Sequence, residues 1–97
     1  MKKYNLNMDK LMRYLLDGNE FKYRYVYEKF NGSLCETEVS LFANETHIIF
    51  VRTLGFVELA AFDLSKDVEI RKLEYMIKKQ LEENWDFVCN EEGIITS

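Results

Sequence analysis

Glu20-Phe21-Lys22-Tyr23-Arg24-Tyr25-Val26-Tyr27-Glu28-Lys29-Phe30-Asn31-Gly32-Ser33-Leu34-Cys35-Glu36-Thr37-Glu38-Val39-Ser40-Leu41-Phe42 is the stretch that decides the fold. Phe21, Tyr23, Tyr25 and Tyr27 alternate with Lys22, Arg24, Val26 and Glu28. A period of two built from aromatic residues describes a strand with one wet face. Asn31-Gly32 is the strongest hairpin signal in the chain, since these residues accept the positive φ that tight hairpin turns require. A second strand over 34–43 follows, with Cys35, Thr37, Val39 and Leu41 alternating against Glu36, Glu38, Ser40 and Phe42.

The register of this hairpin is open to a test by side-chain polarity. A loop of Asn31 and Gly32 alone sets Tyr25 opposite Glu38 and Arg24 opposite Val39, which mixes polar and apolar groups on both faces. A three-residue loop over 31–33 with a glycine-type bulge pairs Phe30 with Leu34. Tyr25 then faces Val39, Tyr23 faces Leu41 and Arg24 faces Ser40. The faces now agree, so the three-residue loop is expected.

The flanking segments complete the pattern. Met8, Leu11, Met12, Leu15 and Leu16 form the stripe of an amphipathic helix over about 7–17, capped by Asn5 or Asn7 and stopped at Asp17-Gly18-Asn19. After a turn at 43–46, His47 to Thr53 reads as a central strand, apolar on both faces. After Leu54-Gly55, Phe56 to Phe62 is a fourth strand, giving strands at about 20–30, 34–43, 46–53 and 56–62. Asp63, Ser65 and Asp67 are cap candidates for a second helix over about 66–84, whose stripe is Ile70, Leu73, Ile77 and Leu81. Residues 85–97, with Trp85, Phe87, Val88, Ile94 and Ile95, form a tail expected to pack back in part.

The order α-β-β-β-β-α predicts an α+β fold in one domain over 1–97: a four-stranded antiparallel meander with both helices on one face. Tyr23, Tyr25, Val39 and Leu41 belong on the covered face. Lys22, Arg24, Glu28, Glu36, Glu38 and Glu58 belong on the open one, the first place to look for a partner.

Composition narrows the function. The chain has 97 residues, 47% of them apolar, enough for one modest core. There are 17 acidic and 13 basic residues, and the excess of acid lies wholly in residues 63–97. Clustered Lys and Arg are what non-specific nucleic-acid binding lives on, so this balance makes direct nucleic-acid binding an unfavoured reading. Its remaining route is base stacking on the tyrosine strand. No apolar run suits a membrane span. The basic start lacks the apolar stretch of a signal peptide, and Cys35 and Cys89 are read as free thiols in a cytoplasmic protein.

Catalytic sets are hard to write. His47 is the lone histidine, and a Cys35–His47 pair has no third group to orient it. Metal-ligand spacing is absent, and the four glycines sit singly, so no phosphate loop exists. No cofactor, metal or catalytic residue is therefore expected. The reading that remains is a non-enzymatic protein-binding module acting by occlusion. Glu36, Glu38, Glu82, Glu83, Asp86, Glu91, Glu92 and Tyr27 are its candidate contact residues.

In size, acidity and α+β layout the chain resembles, in style rather than by motif, the small phage or mobile-element inhibitors of host defence, anti-CRISPR proteins among them. That resemblance implies carboxylates placed where a nuclease expects phosphates, hence a partner that is a nucleic-acid-binding protein with a basic surface. The alternative is a homo-oligomeric structural or regulatory domain. There the first or fourth strand is an open edge, and a second copy covers Phe50 or Ile49 with Phe56 and Phe62.

Overall fold

A computed structural model describes residues 4–83, 86–89 and 93–96, with the backbone alone for 86–89. The elements are β1 (Asn5–Leu6), α1 (Met8–Leu16), β2 (Phe21–Glu28), β3 (Leu34–Ala43), β4 (His47–Arg52), β5 (Val57–Asp63), α2 (Asp67–Glu82), β6 (Asp86–Cys89) and β7 (Ile95–Thr96). The expected meander is present, with α1 before it and α2 after it. The sheet is one strand wider than expected. Its order is β5-β4-β3-β2-β6, because β6 returns from α2 and pairs antiparallel with β2. A two-residue antiparallel clasp joins β1 to β7, pairing Asn5 with Thr96 and Leu6 with Ile95. The tail thus packs back through Ile94, which is buried in the core.

The core follows from the alternation. Phe21, Tyr23, Val39, Leu41, Ile48, Phe50 and Phe62 project from one face of the sheet and meet Leu11 and Leu15 of α1 and Leu73, Ile77 and Leu81 of α2. Leu16, at the margin of the α1 stripe, is exposed. Asn7 caps α1 by accepting from the Lys10 N–H at 3.1 Å. No expected cap serves α2: Lys66 holds the cap position without a side-chain bond. Asp63 instead shapes the preceding turn, accepting from the Ser65 N–H at 2.9 Å and the Ser65 hydroxyl at 2.7 Å.

The first hairpin has the expected loop length at a different position. Tyr23 pairs with Val39, Tyr25 with Thr37 and Arg24 with Glu38, two residues away from the expected register. The Lys29 N–H donates to Ser33 O at 2.8 Å and the Gly32 N–H to Lys29 O at 2.9 Å. The loop is therefore Phe30-Asn31-Gly32, with Gly32 at φ +84° in the third position. A loop over 31–33 would have put Ser33 at the position that demands a left-handed residue, which is costly for L-side chains. A shift of two preserves which face each side chain occupies, so the layering is unaffected.

Candidate functional site on the open sheet face

The helices cover one face of the sheet only. On the other, alternation places Lys22 and Arg24 on β2, Glu36, Glu38, Ser40 and Phe42 on β3, Ile49 and Val51 on β4, and Glu58 and Ala61 on β5. Ser40 and Val51 face one another there, yet they are only 1% and 2% exposed. Phe42 lies two residues beyond Ser40 on the same face, and its ring stacks with that of Phe56 at 6.2 Å between centroids and 18° between planes.

Phe56 reaches this position through an unusual backbone. The turn Thr53-Leu54-Gly55-Phe56 is closed by the Phe56 N–H donating to Thr53 O at 3.2 Å. Gly55 has φ +79° and Phe56 itself φ +48°. A bulky residue in the left-handed region is strained by about 1–3 kcal/mol. The strained residue is 69% exposed, and Leu59 on β5 is 50% exposed. The Ser40 hydroxyl has no hydrogen-bond partner among the described residues.

The charges around these rings are unevenly satisfied. Arg24 holds Glu36 at 2.9 Å and Lys22 holds Glu20 at 3.3 Å. Glu38 accepts from the Thr53 hydroxyl at 3.1 Å. Glu38 and Glu58 have no ion-pair partner among the described residues. Both carboxylates lie on the open face, while the Arg52 side chain reaches the adjoining turn, donating from Nε to Leu54 O at 3.1 Å.

The other candidate residues fall elsewhere. Glu36 and Glu38 share the open face, as expected for residues two apart on one strand. Glu82 and Glu83 sit at the end of α2, on the opposite side of the sheet, and Glu83 lies 4.0 Å from Lys79. The backbone of Asp86 begins β6 opposite Val26. Glu91, Glu92 and Trp85 lie outside the described residues. Glu36 and Glu38 therefore lie on a different surface from Glu82 and Glu83. Tyr27 is on the covered face, where it ends a ladder of rings: Phe21–Tyr23 at 5.5 Å, Tyr23–Tyr25 at 6.0 Å and Tyr25–Tyr27 at 5.8 Å. Burial, and then the neighbouring Tyr27, push the Tyr25 phenol above its ordinary range.

Cys35 and His47 are not brought together. Cys35 pairs with Tyr27 near the hairpin tip, while His47 opens β4 beyond Ala43 at the other end of β3. Eight residues of strand separate those ends, roughly 26 Å at the rise of an extended chain. Cys35 is instead a hydrogen-bond neighbour of Lys29, which that contact holds above the usual range of an ammonium group. Phe50, Ile49 and Phe62, expected to be covered by another copy, are already buried within this chain. Phe56 alone of that set remains exposed. Alternation places Phe42 with Glu36, Glu38 and Ser40, as the sequence indicates, but its stacking on Phe56 has no signal in the spacing.

Among the described residues no helix is long and apolar enough to cross a membrane, and no three His, Cys, Asp or Glu side chains gather as metal ligands. Comparison with protein-family models, with curated proteins and with solved structures found no match.

Proposed function

We propose that this chain is a non-enzymatic protein-binding module that inhibits or regulates its partner by occlusion, with the open sheet face around Phe42 and Phe56 as its contact. The observation that carries this reading is Phe56: a strained backbone holds an exposed aromatic ring stacked on a second ring over a face that no helix covers. Exposed, rigidly held aromatics are typical anchors of protein interfaces, because they bury much area at little entropic cost. Backbone strain kept at one place in a fold is characteristic of functional sites. The carboxylates of Glu38 and Glu58, on the open face and with no ion-pair partner among the described residues, favour a basic partner surface. A nucleic-acid-binding protein has such a surface, and a phage or mobile-element origin suits an inhibitor of that kind.

The test is capture of partners by the immobilised protein from a bacterial lysate, in parallel with Phe56→Ser and with a double charge reversal, Glu38→Lys with Glu58→Lys. A stoichiometric protein retained by the parent and lost from both variants supports the reading. A partner that all three retain alike overturns the assignment to this face.

A further inference from the structure

We propose that β5, the free edge beside this face, is a strand-addition site that pairs with an extended segment of the partner in which Lys or Arg alternates with apolar residues. The proposal rests on the reading of the open face as the contact and names the chemistry of what it takes.

The edge is open and its backbone groups are directed. β5 pairs with β4 on one side and with no other strand among the described residues. The Leu64 N–H donates to Thr46 O at 3.0 Å, and Asn44 N–H to His47 O at 2.9 Å. Antiparallel ladders alternate bonded and non-bonded pairs. Phe62 and Ala60 therefore turn their N–H groups toward β4, and Ala61 and Asp63 turn theirs outward. Water can satisfy such groups one by one, whereas another extended backbone pairs with the row as a whole.

The usual guards of a sheet edge are weak here. Val57-Glu58-Leu59-Ala60-Ala61-Phe62-Asp63 has no Lys and no Pro, and its centre is two alanines. The one irregularity, opposite Phe50 and Val51, lies toward the Val57 end and leaves Ala60–Asp63 in regular register with His47–Phe50. Val57 and Leu59 are exposed on this strand, which follows directly on the exposed Phe56.

Charge selects the occupant. The two ionisable residues of β5, Glu58 and Asp63, are both acidic, and Glu38 adds a third carboxylate on the open face. A second copy pairing through the same edge would bring like charges together. A segment bearing Lys or Arg on the open-face side neutralises Glu58 there, while its intervening apolar side chains fall on the other side of the strand, beside Val57 and Ala60.

A fluorescein-labelled octapeptide of alternating Lys and Val tests this, read by anisotropy and by amide hydrogen exchange of the full chain. We expect saturable binding, slowed exchange at the Ala61 amide, and no binding of the same peptide with Glu for Lys. Ala61→Pro removes the outward N–H at a position where an edge strand tolerates proline, and it should weaken binding by about tenfold or more. Glu58→Lys, which leaves the backbone alone, should do likewise and covers the case in which the proline variant fails to fold. Unchanged exchange at Ala61, or equal affinity for the Glu58→Lys variant, overturns the proposal. Concentration-dependent dimerisation that protects Ala61 without peptide also overturns it, in favour of a second copy. If the captured partner is lost with Phe56→Ser but kept with Ala61→Pro, strand addition fails while the open-face reading stands. If Phe56→Ser leaves capture unchanged, the open-face reading itself fails.

Discussion

The Tyr23 hydroxyl donates a 2.6 Å hydrogen bond to Gln80 Oε1, tying β2 to the last turns of α2 across 57 residues of chain. Tyr23 is otherwise a core aromatic, and a buried phenol must find an acceptor to be worth placing there. Tyr23→Phe keeps the ring and should cost about 0.5–1.5 kcal/mol of stability in urea denaturation. In a Gln80→Ala background the same change should cost markedly less. An equal cost in both backgrounds would show that the bond contributes nothing.

The strain at Phe56 is measurable without the partner. Phe56→Ala and Phe56→Gly both delete the ring, but only glycine adopts the left-handed conformation freely. The alanine variant should be less stable than the glycine variant by about 1–2 kcal/mol. Identical denaturation midpoints would mean that the turn relaxes once the ring is gone.

Gly32 sets the register of the first hairpin through its φ of +84°. A methyl group there would meet only Glu28 Oε1, at 3.9 Å, so the cost of Gly32→Ala is a backbone cost. We expect about 1–2 kcal/mol. Gly32→Asn should cost less, because asparagine tolerates that region. The reverse order would point to a steric role.

Ser40→Ala should stabilise the protein, by about 1 kcal/mol, since it removes a buried hydroxyl that has no partner among the described residues. A destabilised variant would reveal a partner that the hydroxyl has in solution.

Asp63 links pH to the entry of α2. Its hydrogen bonds from Ser65 hold the carboxyl below its ordinary value of 3.8, with Lys66 adding a smaller pull in the same direction. A depressed carboxylate contributes stability above its unfolded pKa and loses it as pH falls through the folded one. Acid unfolding should therefore draw on Asp63 below pH 3.8. Ser65→Ala should move the Asp63 titration, followed by NMR, back upward. An unmoved titration would assign the shift elsewhere.

The helices, the meander and the layering are legible because each rests on a local period. Leu11 and Leu15, or Tyr23 and Val39, announce their faces from their neighbours alone. The exact register was not legible by polarity, since a shift of two leaves every face unchanged; the left-handed demand at Gly32 was the sharper clue. β6 escaped because Asp-Phe-Val-Cys is four residues with no turn signal, and its place is set by the edge that β2 leaves open after α2. The site divides in the same way. Glu36 and Glu38 share a face by strand geometry, whereas the meeting of Phe42 and Phe56 depends on a turn conformation that spacing does not encode.

The clasp between β1 and β7 has a mechanical consequence. Asn5 and Thr96 face one another at the outer end of a two-rung antiparallel ladder, so tension applied at both residues loads the rungs one after the other. Drawn apart from these two points, the molecule opens like a zipper, at low force, while the five-stranded sheet still stands. Under such a pull the first contact to part is the one that joins β1 to β7.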